Sequence, residues 1–114
     1  MSHAGKVMTM DAIWKVDQLK RYNRERGYYH FSPETMRFFR SRVAPGVINT
    51  WEGVVFITSE QFDYNSPRLY TARIMREDGS VDNLAGCEFQ QFENLYHARK
   101  FAKIEAAKLN EVPK

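Results

Sequence analysis

With 114 residues, 43% of them hydrophobic and 14% aromatic, the chain has the composition of one folded domain. It is long enough to bury a core without disulfides or metal and too aromatic for disorder. Its one cysteine, Cys87, excludes an internal disulfide framework and a multi-cysteine zinc site, and the net charge of +3 is mild.

The distribution of charge says more than its sum. Between Ile13 and Arg42 eight basic residues (Lys15, Lys20, Arg21, Arg24, Arg26, Arg37, Arg40, Arg42) face three acidic ones, a local +5. From Val43 to Pro67 there are three acids and no bases. A basic front and an acidic middle suit a polyanionic partner, and suit equally a set of solvated helix faces. No apolar run approaches the roughly 18 residues of a membrane helix, and no secretory segment opens the chain. The expectation is a protein of the cytoplasm of a bacterial host, without membrane contact.

Residues 1–8 read as a loose tail and residues 9–114 as a single α+β domain. A first helix is expected from Thr9 to Arg26, where Met10, Ile13, Val16 and Leu19 recur at spacings of three and Gly27 stops the run. Tyr28, Tyr29, His30 and Phe31 form an aromatic connector. Ser32 as cap, Pro33 at the first helical position and Glu34 behind it open a second expected helix that runs to about Arg42. Val43 to Trp51, with Pro45 and Gly46, reads as an edge strand or a loop. Such an edge would leave room for a homodimer, although no residue marks one. Val54 to Thr58 is apolar at both parities, as a strand covered on both faces would be.

Leu69 to Arg76 alternates, with Tyr70, Ala72 and Ile74 on one side and Thr71, Arg73 and Met75 on the other. Asp78-Gly79 marks a hairpin turn, and Val81 to Gly86 returns. Asn94 caps a long helix from Leu95 to Asn110, with Leu95, Ala98, Phe101, Ala102, Ala106 and Leu109 on its buried stripe. Tyr96, Arg99, Lys100 and Lys103 stand on the other face. Together these elements predict two N-terminal helices, a three- to four-stranded antiparallel meander, and a C-terminal helix packed on the sheet.

No catalytic pattern accompanies them. The six glycines are isolated, so there is no phosphate loop, and neither His30 nor His97 has a second ligand at metal spacing. Cys87 has no nearby base. A non-enzymatic binding protein without cofactor or small-molecule substrate is expected. The residues that fit phosphate or protein contacts are Arg37, Arg40, Arg42, Thr71 and Arg73, joined by Arg99, Lys100 and Lys103. Each also reads as ordinary surface. Tyr28, Tyr29, Phe31, Phe38 and Phe39 read as core, with a base-stacking platform as the alternative.

Three resemblances bear on this. Tyr70, Ala72, Arg73, Asp78-Gly79, Phe89 and Ala98/Ala102 follow a pattern similar to the small DNA-binding domain of phage-type tyrosine integrases. That likeness implies a three-stranded sheet on one helix, with Thr71, Arg73 and Met75 entering the major groove. The chain departs from the pattern at Ser80-Val81-Asp82-Asn83, where the family carries basic residues. Phe31-Ser32-Pro33-Glu34-Thr35-Met36-Arg37-Phe38-Phe39-Arg40-Ser41-Arg42, Phe56-Ile57-Thr58-Ser59-Glu60-Gln61-Phe62 and Arg68-Leu69-Tyr70-Thr71-Ala72-Arg73 resemble small uncharacterised proteins of phages and plasmids, which implies a mobile-element context. Arg99-Lys100-x-Ala102-Lys103-x-x-Ala106-Ala107 is similar to the last helix of double-stranded-RNA-binding domains, without the Gly-rich basic loop that precedes it there. The expected function is nucleic-acid binding through a basic helix and sheet face. The alternative is a protein-binding, anti-CRISPR-like inhibitor of a host defence or regulatory complex.

Overall fold

The computed structural model describes residues 15–33, 35 and 40–111. Helix α1 (Val16–Glu25) is followed by strands β1 (Arg42–Asn49), β2 (Gly53–Glu60), β3 (Leu69–Arg76) and β4 (Val81–Asn83). A 3-10 turn (Leu84–Gly86) and helix α2 (Leu95–Leu109) complete the order. The sheet is an antiparallel meander, β1-β2-β3-β4, which leaves β1 and β4 as its edges.

Every residue of β2 is buried, because the sheet is covered on both faces. On one face Val55, Ile57, Ala72 and Ile74 pack under α2, whose Ala98, Ala102 and Ala106 are buried. Alanines four apart bring the helix axis close to the sheet. Leu95, Phe101 and Leu109 close the sides of that contact. On the other face Leu19 and Tyr22 of α1, with Phe31, cover Val54, Phe56 and Met75. The phenolic hydroxyl of Tyr22 donates to the Glu77 carbonyl. Asn23 Nδ2 donates to the Gly79 carbonyl at 2.7 Å, so α1 is tied to the β3–β4 turn. Asn94 caps α2, its side chain accepting from Tyr96 N.

Two expectations need correction, and one left open is decided. Among the described residues a single N-terminal helix precedes the sheet. Ser32 Oγ accepts from Thr35 N as a cap would, but most of the second expected helix lies outside the described residues. It does not reach Arg42: Arg40 is left-handed (φ 50°) and Arg42 opens β1 opposite Ser59. Ladder pairing with β2 outweighs local helix preference there. Val43 to Asn49 is a true edge strand, broken by a register shift between Ala44 and Ile48. Pro45 has no N–H to give and Gly46 has φ 109°, so both fit a bulge on an edge. Third, the returning strand stops at Asn83, because Ala85 turns left-handed (φ 50°) inside the 3-10 turn. The tail 1–8 and the stripe residues Met10 and Ile13 lie outside the described residues.

Candidate nucleic-acid interface

The structure divides the sequence-predicted residues into three places, and Arg37 lies outside the described residues. Thr71 and Arg73 belong to the interior. Thr71 is fully buried; it donates to Glu60 Oε1 (2.9 Å) and accepts from Gln90 N (2.7 Å). Arg73 forms an ion pair with Glu60 at 3.2 Å, their side chains 13% and 1% exposed. Its other donors go to Thr58 Oγ1 (3.0 Å) and Asn83 Oδ1 (2.8 Å), and its guanidinium lies 5.6 Å from the Phe89 ring centre. Met75 is buried under α1. The face that the integrase resemblance would place in a major groove is therefore closed. Burial, with the Arg73 charge adding to it, lowers the pKa of the half-buried His30 imidazole to about 4, which keeps it neutral.

Arg40 and Arg42 are brought together with a residue that sequence reasoning missed. Arg68 Nη1 donates to Ser59 Oγ (2.8 Å), Ser59 O (3.0 Å) and Arg40 O (3.4 Å), and its Nη2 donates to Gln61 Oε1 (3.0 Å). All four acceptors are neutral. Burial first, and then the Arg42 charge, hold the Arg68 guanidinium below its ordinary value. Arg40 stacks on the Tyr64 ring at 3.7 Å, and its Nε is buried without a hydrogen-bond partner. Three arginines thus converge at one end of the sheet. Arg68 feels the charge of Glu60, which is already held by Arg73, and Asp63, held by its own turn, feels that of Arg40.

Arg99, Lys100 and Lys103 are exposed on α2. Phe101 leans toward Phe92 (5.5 Å between centroids), which bridges to Tyr70 on the β4 side of β3. Helical geometry puts Arg99 and Lys103 on the opposite flank, toward β1. Asn110, on that same flank, confirms the orientation by donating to the Asn49 carbonyl at the end of β1 (3.3 Å).

Two shallow grooves result, and they share Leu95. One is lined by Arg42, Val43, Ala44, Pro45, Ser59, Arg68, Tyr70 and Leu95; the other by Leu95, Tyr96, Arg99, Lys100 and Lys103. Five cations and no carboxylate line them. Arg68 could not be found from spacing alone, because only the β2–β3 register carries it across to Ser59.

The remaining expectations fall as follows. Phe31 packs on Phe56 (5.7 Å), while Tyr28 and Tyr29 are exposed and Phe38 and Phe39 lie outside the described residues. Cys87 is buried in the core, and burial pushes its thiol up. Among the described residues no cluster of three His, Cys, Asp or Glu could hold a metal, and no helix is long and apolar enough to cross a membrane.

No curated protein and no solved structure matches the chain. A protein family described as a family of unknown function (DUF7447) matches residues 15–103. That match spans the sheet, α1 and most of α2, and the chain belongs to this family.

Proposed function

We propose that this protein binds nucleic acid, without catalysis, along the surface that runs from Arg40, Arg42 and Arg68 past Leu95 to Arg99, Lys100 and Lys103. The observation that carries the reading is that two adjoining grooves are lined by five cations and no acid. On a protein with a mild overall charge, five cations that form no ion pair among the described residues meet along these grooves, which suits phosphate contacts. Arg68 is pre-oriented by neutral acceptors and forms no ion pair among the described residues. The mobile-element setting rests on the sequence likeness alone.

Affinity for labelled duplex DNA, single-stranded DNA and duplex RNA, followed against salt, tests this. Binding in the micromolar range or tighter that falls steeply with salt is expected. Absence of binding at low salt to all three would overturn the reading. It would favour the second one, an inhibitor that seats this surface on an acidic host protein. The exposed Tyr96 and Ile104 on the outer side of α2 favour that alternative, since aromatic residues anchor protein interfaces.

A further inference from the structure

The β2–β3 connection, residues 61–68, carries two aromatic side chains that stand outside the core. Phe62 is 64% exposed and Tyr64 79% exposed. Large apolar rings on a flexible loop would fold back onto the surface, but this loop is held. Asp63 Oδ1 accepts from Asn65 N, Ser66 N and Ser66 Oγ, each at 2.9 Å. Gln61 Nε2 donates to the Ser66 carbonyl at 3.0 Å, and Gln61 Oε1 accepts from Arg68. The turn is thus closed on itself with its two rings outward. It also stands on the arginine corner: Gln61 holds Arg68, Ser59 lies opposite Arg42, and Tyr64 carries Arg40 on its ring.

Exposed rings fixed beside guanidinium groups that form no ion pair, with Asp63 of the turn bound by its own backbone and Ser66, match one ligand chemistry well. A nucleotide that is not base-paired offers a flat π-face for stacking and a phosphate within reach of the same cations. A paired base in a blunt duplex offers the phosphate but hides its face. We infer that residues 61–68 with Arg40, Arg42 and Arg68 form a site for an unpaired nucleotide, so that the protein selects single strands over blunt duplex. This rests on the nucleic-acid reading given above. In it, Phe62 and Tyr64 supply stacking, Arg42 and Arg68 hold the phosphate, and α2 follows the backbone away from that point.

The test is fluorescence anisotropy with a labelled oligothymidylate and a blunt duplex of equal length, using the full chain, Phe62→Ala and Tyr64→Leu. Both substitutions lie on exposed side chains, and unchanged circular dichroism melts show that the fold is intact. Phe62→Ala is expected to weaken oligothymidylate binding on the order of tenfold, while duplex binding stays within about twofold. Stacking is not screened, so the difference between wild type and Phe62→Ala persists at high salt. If both variants bind oligothymidylate as tightly as wild type, the inference is overturned. If wild type also binds blunt duplex equally well, the nucleic-acid reading stands and only the unpaired-nucleotide site falls. If no nucleic acid binds, both fall together.

Discussion

Arg73 and Glu60 meet at 3.2 Å beneath the surface, on neighbouring strands, with Thr58, Thr71 and Asn83 taking up their remaining hydrogen-bonding capacity. Placing two charges there costs solvation, and their attraction offsets that cost only while both are present. Arg73→Met should therefore cost about 3–5 kcal/mol, because it strands Glu60 in the interior. The double variant Arg73→Met with Glu60→Met should recover most of that loss. Urea denaturation of the two single variants and the double variant measures the coupling. Additive losses would show that the pair is not a unit.

The imidazole of His30 lies edge-on to Phe31 (4.8 Å between centroids), and its backbone N–H donates to Asn23 Oδ1 at 3.2 Å. Burial and then Arg73 bring it down from 6.5 to about 4. In this window the unfolded chain takes up a proton that the folded one refuses. Stability is then fully present above pH 6.5 and falls as pH drops toward 4, by roughly 3 kcal/mol. Asp63 and Asp78, lowered by hydrogen bonds from Ser66 and Ser80, act only below their ordinary value of 3.8. Denaturation midpoints measured across that range, for wild type and His30→Gln, check the assignment. The variant should lose the slope between pH 6.5 and 4.

At the β1–β2 turn Gly53 has φ 153°, and a Cβ there would run into the Met75 carbonyl. Thr50 Oγ1 accepts from Gly53 N at 3.0 Å and from Glu52 N at 3.2 Å, so the turn has no freedom to yield. Gly53→Ala should destabilise by about 3 kcal/mol or more. Gly27→Ala is the control: its φ of 90° is also left-handed, but a Cβ meets nothing, and about 1–2 kcal/mol is expected. Equal losses at the two sites would mean that the contact with Met75 is relieved by a small backbone shift.

How far the sequence foretold this structure follows from the range of each signal. Leu69–Arg76, the Asp78-Gly79 turn and the Asn94-capped helix were legible because alternation, turn chemistry and capping act within a few residues. Arg99, Lys100 and Lys103 were legible for the same reason, as the side of α2 that its alanines leave out. The end of the second helix was not, because β1 owes its form to pairing with β2. Arg73 looked like a surface residue because alternation marks its face as polar. The partners that bury it come from β2 and β4, and only the register places Phe56 and Asn83 opposite it. Arg68 was missed for that reason too, its neighbours Ser59 and Arg40 arriving from other segments.

The central claim is that nucleic acid follows one side of the molecule, and equal charge removed from two sides tests it directly. Arg99, Lys100 and Lys103 would be changed together to alanine in one variant, and Lys20, Arg21 and Arg24 of α1 in another. Binding of each to the preferred nucleic acid would be followed from low to high salt. The α2 variant is expected to lose affinity by at least an order of magnitude and to flatten the salt slope by about two units, while the α1 variant stays close to wild type. Equal losses in the two variants would mean that net charge, and not this surface, governs binding, and would contradict the account.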